Sequence, residues 1–254
     1  AEKAKVAYLT AGDGGVSASV EYFLALVKGG VNLLEVGIPY SDPVADGPVI
    51  QQAMERALSA GITVKDSLEV IRQVRAQSDV AIIVFTYYNP IQGDLSGFLS
   101  VAKSAGADGI LIVDLPFEEA ANYCHLCRSL GLSPITVIAP STRPERMKEL
   151  LANVNNGFVY YACQKGTTGT RDGLPLDLAS QLDQLRQATS LPIAVGFGVA
   201  NAAMVQAILH LADGCVVGSY LVRQIANQVT PEDLRHVLIK KGIVSEEIMV
   251  VFIH

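Results

Sequence analysis

Short uninterrupted apolar runs recur along the chain at spacings too long for hairpins: Val6–Thr10, Leu33–Val36, Ala81–Thr86, Gly109–Val113, Pro134–Ile138, Gly157–Tyr161, Pro192–Gly196 and Gly214–Val217. Between them the apolar positions change to helical spacing. Ser17–Lys28 puts Val20, Phe23, Leu24 and Val27 on one face, and Asp66–Arg75 does the same with Leu68, Ile71 and Val74. Continuous apolar strands alternating with amphipathic helices predict a parallel sheet covered by helices. Eight such units in 254 residues match the size and repeat count of a (β/α)8 TIM barrel. A doubly wound sheet is the alternative; the even spacing of eight units favours closure.

Local punctuation agrees with these boundaries. Lys28-Gly29-Gly30, Ala105-Gly106, Leu130-Gly131 and Lys241-Gly242 read as helix C-termini, and Thr230-Pro231-Glu232-Asp233 as an N-cap with Pro at the first helical position. No linker or change of composition divides the chain, so residues 1–254 are expected to form one domain. The first strand begins almost at once, which predicts a barrel without a preceding N-terminal cap helix.

Composition narrows the function classes. Half of the residues are hydrophobic and 17% are charged, which excludes disorder, and a net charge of −6 argues against nucleic acid. Four Cys in a chain this long make no disulfide framework and suggest a reducing compartment. Gln187–Ala212 carries no Asp, Glu, Lys or Arg, but Pro192, Gly196 and Gly198 interrupt it. It reads as buried strand, loop and helix, with no membrane span. The charged start resembles no signal peptide. A bacterial cytoplasmic location is expected; a plastid protein after transit-peptide removal would read alike.

In such barrels chemistry sits on the loops after the strands. Gly196-Phe197-Gly198 and Gly218-Ser219 follow strands 7 and 8, where backbone N–H groups ahead of a helix suit a phosphate dianion. All four His lie in predicted helices or at the terminus, which leaves carboxylates, Tyr and Lys for proton transfer. Glu35 stands in an otherwise aliphatic strand, Leu33-Leu34-Glu35-Val36, where burial raises a carboxyl pKa towards neutrality. The alternative for Glu35 is a structural ion pair inside the barrel. Asp42 and Asp46 lie in the following Pro- and Gly-rich loop, where either can instead cap the helix starting near Pro48. Cys124-His125-Leu126-Cys127 has C-x-x-C spacing but lies inside a predicted helix with no second pair, so buried helical thiols are expected, and no metal site.

The segment Leu34-Glu35-Val36-Gly37-Ile38-Pro39-Tyr40-Ser41-Asp42-Pro43-Val44-Ala45-Asp46-Gly47-Pro48-Val49-Ile50-Gln51 closely resembles the signature of tryptophan synthase α subunits. It is joined in order by Thr10-Ala11-Gly12-Asp13, Thr86-Tyr87-Tyr88-Asn89-Pro90, Asp114-Leu115-Pro116, Gly196-Phe197-Gly198 and Gly218-Ser219. The resemblance implies a lyase that cleaves indole-3-glycerol phosphate to indole and glyceraldehyde 3-phosphate. It implies Glu35 and Asp46 as catalytic carboxylates, with Tyr8, Ile50, Phe85, Tyr87, Tyr160 and Phe197 in or beside the indole pocket. Gly169, Gly198, Gly218 and Ser219 match its phosphate site, and Thr168 the loop Thr that reaches towards the Asp46 position. Asp42 matches a contact with a β subunit in an α2β2 assembly, whose pyridoxal phosphate belongs to the partner; this chain is expected to need no cofactor.

Two loops depart from that pattern. The first reads Gly12-Asp13-Gly14-Gly15 where Asp is usually followed by Pro, and the sixth reads Cys163-Gln164-Lys165-Gly166-Thr167-Thr168-Gly169-Thr170 where Ser-x-x-Gly-Val-Thr-Gly-Ala is typical. The altered sixth loop leaves open a regulatory subunit of weak activity that activates its partner. A free-standing lyase that releases indole is a third reading. Another phosphate-binding barrel shares only the features of strands 7 and 8.

Overall fold

The structure, a computed structural model, describes residues 3–152, 154–163, 174–196, 198–199 and 201–240. Eight strands run β1 Ala4–Thr10, β2 Leu33–Gly37, β3 Ala81–Thr86, β4 Gly109–Ile112, β5 Ser133–Ile138, β6 Val159–Ala162, β7 Ile193–Gly196 and β8 Gly214–Val217. Each pairs in parallel with the next, and β8 returns to β1, closing the predicted (β/α)8 barrel. Strand 6 starts two residues after its predicted position because Gly157, at φ +80°, is in the left-handed region and outside the extended run. The uncharged stretch that could mimic a membrane span is β7, a loop and a helix. Among the described residues no helix is long and apolar enough to cross a membrane.

The helices on the outside are α1 Val16–Lys28, α2 Pro48–Ser59, α3 Val64–Arg75, α4 Leu95–Ala105, α5 Phe117–Ser129, α6 Pro144–Leu151, α7 Leu178–Ala188, α8 Ala202–Leu211, α9 Ser219–Ala226 and α10 Pro231–Lys240. Two departures from one helix per strand stand out. α2 and α3 both lie between β2 and β3: Gly61 takes φ +79°, and Thr63 with Asp66 then forms a reciprocal capping box that starts a new helix. α9 and α10 both follow β8. Thr230 opens α10, its Oγ1 accepting from the Asp233 amide at 3.2 Å, and the Tyr22 hydroxyl of α1 donates to the Val229 carbonyl at 2.8 Å. Leu238 is fully buried beside Gly29, tying α10 to the end of α1. Lys241-Gly242, the fourth expected helix end, lies outside the described residues.

Two apolar layers result, one inside the barrel and one between barrel and helices. The lower interior carries small residues such as Ala4, Ala81 and Ala194, and with Val6, Leu33 and Ile83 they border an apolar cavity of about 270 Å³. Both cysteines of the C-x-x-C segment are buried in α5, as its helical position predicts, and no disulfide joins any of the four cysteines. Burial pushes the Cys127 and Cys215 thiols up to about 12 and Cys163 to about 11, so they stay protonated. Among the described residues no three His, Cys, Asp or Glu side chains are grouped to hold a metal ion.

Candidate active site

In the register of the barrel Tyr8 of β1 lies level with Glu35 of β2, and Glu35 with Ile83 of β3. Glu35 has no solvent exposure, and among the described residues neither carboxyl oxygen has a hydrogen-bond partner. The ion pair that a structural role requires is absent among them. Burial alone drives its pKa from 4.5 up to about 8, which keeps it protonated at neutral pH. An acid held ready in an apolar interior is suited to donate a proton and take one back.

Aromatic rings surround this carboxyl. Tyr8 meets Phe85 edge to face at 5.2 Å, and Phe85 meets Tyr160 of β6 at 6.4 Å. Two glycines make room for the tyrosines. A Cβ at Gly37 would lie 2.2 Å from the Tyr8 hydroxyl, and one at Gly196 only 2.1 Å from that of Tyr160. The glycine of Leu34-Glu35-Val36-Gly37 is therefore a matter of space for a ring from the neighbouring strand. Burial and the nearby carboxyls raise both tyrosine pKa values, so the phenols remain neutral hydrogen-bonding groups.

Asp46 does not cap α2. The N-cap is Gly47, and α2 has no side-chain cap. Asp46 Oδ2 instead accepts from the Tyr87 hydroxyl at 2.6 Å, and Gln51 Nε2 donates to the Asp46 carbonyl at 2.8 Å. Partial burial raises the Asp46 pKa while the Tyr87 hydrogen bond opposes the rise. Tyr87 follows β3, is fully buried, and packs its ring tilted against Tyr40 at 5.0 Å. Ile50, in the first turn of α2, is half-buried against the core.

Asp42 lies on the solvent side of the same loop, held by the Ser41 hydroxyl at 2.8 Å, and borders an open groove of about 550 Å³ with Tyr40, Pro43, Val44, Gln51 and Glu55. Glu35 does not line that groove. The loop thus presents one carboxylate inward and one outward.

The two strand-end segments expected to hold phosphate differ. α8 begins only at Ala202, and the Asn201 side chain already accepts from the Met204 amide, so its N-terminus is partly satisfied. α9 starts at Ser219 directly after Gly218 and has no side-chain cap, leaving its first amides for an anion. Gly218 packs near the Tyr8 ring, where a Cβ would lie 3.4 Å from the Tyr8 Cβ. Gly198 is exposed. Thr168, Gly169 and Phe197 lie outside the described residues.

Three supports have little signal in a linear reading. Arg56 of α2 reaches Asp13 with a two-pronged contact at 2.9 and 2.7 Å, clamping the β1–α1 loop to the helix that follows Asp46. The departure from Pro in that loop is matched by its backbone: Gly14 takes φ +87°, which the proline ring forbids. Asp114 accepts from the Tyr88 amide at 2.6 Å and fixes the turn that carries Tyr87.

The family model described as tryptophan synthase alpha chain matches residues 1–248. The tryptophan synthase alpha chain of Coxiella burnetii is 49% identical over 231 residues, covering 91% of this chain and 90% of the relative. That of Chlamydia caviae is 43% identical over 233 residues, covering 90% of each. Among solved structures, a mutant tryptophan synthase alpha-subunit from Pyrococcus furiosus superposes with a TM-score of 0.87 at 33% identity, covering 96% of this chain and 99% of that one. A chain of the tryptophan synthase complex from the same organism gives 0.84 at 34% identity, covering 95% and 96%.

Proposed function

The chain belongs to the tryptophan synthase alpha chain family, and from that premise we propose that Glu35 and Asp46 are the two carboxyl groups through which it acts. It is a carbon–carbon lyase of tryptophan biosynthesis, cleaving indole-3-glycerol phosphate to indole and glyceraldehyde 3-phosphate by a retro-aldol reaction. The single observation that carries the residue assignment is the fully buried, unpartnered carboxyl of Glu35 among the rings of Tyr8, Phe85 and Tyr160.

Protonated Glu35 delivers its proton to C3 of the indole ring, forming an indolenine whose cationic nitrogen draws electrons. Asp46 accepts the indole N–H and offsets the positive charge there. The bond between C3 and the side-chain carbinol carbon then breaks and its electron pair restores the indole. The carbinol hydroxyl becomes the aldehyde of glyceraldehyde 3-phosphate, and its proton returns to Glu35. Atoms balance without an oxidant or reductant, and the family needs no cofactor. Tyr8, Ile50, Phe85, Tyr87, Tyr160 and Phe197 are the residues we assign to the indole pocket. Gly169, Gly198, Gly218 and Ser219 are assigned to the phosphate, which the uncapped start of α9 supports. Thr168 is assigned to the loop that closes on Asp46.

We read residues 1–254 as one domain, with a β subunit docking on the exposed side of the β2–α2 loop at Asp42. Pyridoxal phosphate belongs to that partner, and the assembly is α2β2. The bacterial relatives support a cytoplasmic location. The test is glyceraldehyde 3-phosphate release from indole-3-glycerol phosphate by the chain alone and with a β subunit. Turnover stimulated by the partner supports the docked lyase; high turnover alone favours the indole-releasing form, and activation of the partner without cleavage favours the regulator. Glu35→Gln is expected to abolish cleavage in a chain that remains folded by circular dichroism. Unchanged turnover in that variant removes Glu35 from its role.

A further inference from the structure

We propose that Tyr87 is a positioning residue that sets the orientation of Asp46 and holds it ionised for the indole N–H; this rests on the assignment of Asp46 above. The geometry fixes the direction of every hydrogen bond involved. The Ala45 amide can only donate, and it donates to Tyr87 Oη at 3.1 Å. The phenol has a single proton, and it points to Asp46 Oδ2 at 2.6 Å. Tyr87 therefore receives from the loop backbone and donates to the loop carboxylate, spanning Ala45 and Asp46 from the end of β3. Among the described residues Asp46 Oδ1 has no hydrogen-bond partner and remains free for a ligand donor.

The anchor is rigid for three reasons. The Tyr87 ring is fully buried and packed against the Tyr40 ring. The next amide, Tyr88, is fixed to Asp114 at 2.6 Å. The loop backbone closes on itself, with the Asp46 amide donating to the Pro43 carbonyl at 3.0 Å. A loop rich in Pro and Gly is thus held to the barrel through one phenol, at the residue that must not wander. Orientation held in advance is worth more in catalysis than a contact formed during the reaction.

Among the described residues the surroundings leave this task to Tyr87. There the titratable groups that interact with Asp46 are Tyr87, Tyr8 and Tyr160, with Glu35 acting on Tyr8 and Tyr160 and Asp114 on Tyr87. All are phenols or acids. Among these described groups no cation offsets the partial burial of Asp46, and the hydrogen bond from Tyr87 is the influence that lowers its pKa. A hydrogen bond to a charged acceptor in a partly buried site is among the stronger kind.

The experiment measures kcat/KM for indole-3-glycerol phosphate against pH in the full chain with a β subunit, for wild type, Asp46→Asn, Tyr87→Phe and the double variant. Tyr87→Phe keeps the ring and its contact with Tyr40, so thermal unfolding monitors any structural loss separately. The expected result is a fall in kcat/KM of about 10- to 100-fold. Its acid limb moves to higher pH as Asp46 becomes easier to protonate, and the loss in the double variant is no greater than in Asp46→Asn alone. If Asp46→Asn is strongly impaired but Tyr87→Phe leaves the acid limb unmoved, or its loss multiplies with the residual activity of Asp46→Asn, Tyr87 acts independently and the proposal is overturned. Unchanged activity in Asp46→Asn overturns the Asp46 assignment itself, and the proposal with it.

Discussion

Glu35 shows how far a reactive residue can oppose the fold that holds it. Its carboxyl ionises at 4.5 when free in the unfolded chain and at about 8 when folded. A raised acid pKa means that the stability it permits is fully present below 4.5 and is lost as pH rises through about 8, because over that window only the unfolded state sheds the proton. The slope is about 1.4 kcal/mol per pH unit between those values. In Glu35→Gln the amide is also unpaired, but its cost does not vary with pH. Urea unfolding from mildly acid to mildly alkaline pH is expected to show wild type losing stability relative to Glu35→Gln across this window. Parallel curves would mean that Glu35 finds a partner in solution. Most of this was legible beforehand, since one acid in an aliphatic strand has few explanations. Asp46 was harder, because a loop aspartate just before Gly47-Pro48 has the signature of a helix cap. Only the position of Tyr87, brought in from 41 residues along the chain, decides between them.

At the scale of elements, legibility followed the physics of each. The strands are uninterrupted apolar runs and were placed almost to the residue, with slips where a Gly or a pairing partner sets the boundary. The pair α2 and α3 was not separated in advance, because Thr63 and Asp66 cap a helix through a hydrogen-bond geometry that periodicity does not contain. The Asp13–Arg56 clamp was equally hidden, being a contact between a strand-end loop and the last turn of α2, the third element after it. Glycine in β2 and β7 carries a sharper consequence. Gly37→Ala and Gly196→Ala each place a methyl within 2.2 Å of a tyrosine hydroxyl. Tyr8 or Tyr160 must then swing into the space assigned to indole. Both variants are expected to raise KM for indole-3-glycerol phosphate by about tenfold, the equivalent of about 1.4 kcal/mol, and to lose about 1–3 kcal/mol of stability from overpacking. Replacing the opposing tyrosine by Phe in the same chain removes the clashing oxygen and should restore part of the affinity. Steady-state kinetics on the two pairs checks this.

For the molecule as a whole, the order of the strands has a consequence for assembly and failure. Seven ladders join strands that are consecutive in the chain, and the eighth, β8 to β1, brings Gly214 beside Ala4. That seam is the one ladder of the ring between strands not consecutive in the chain, reinforced where the Ala4 amide donates to the Asp213 carbonyl at 2.8 Å and Lys3 Nζ to the Ala212 carbonyl at 2.8 Å. A closed ring has no edge, and opening it anywhere creates two, each an apolar template for another chain. Val216 pairs with both Val6 and Gly196, so Val216→Pro puts a residue without an amide donor into β8, the strand that forms one side of the seam. Mild heating of that variant is expected to give light scattering that grows with protein concentration before global unfolding, where wild type stays clear. Closure thus protects against self-association, and the risk of aggregation is concentrated where the first strand meets the last.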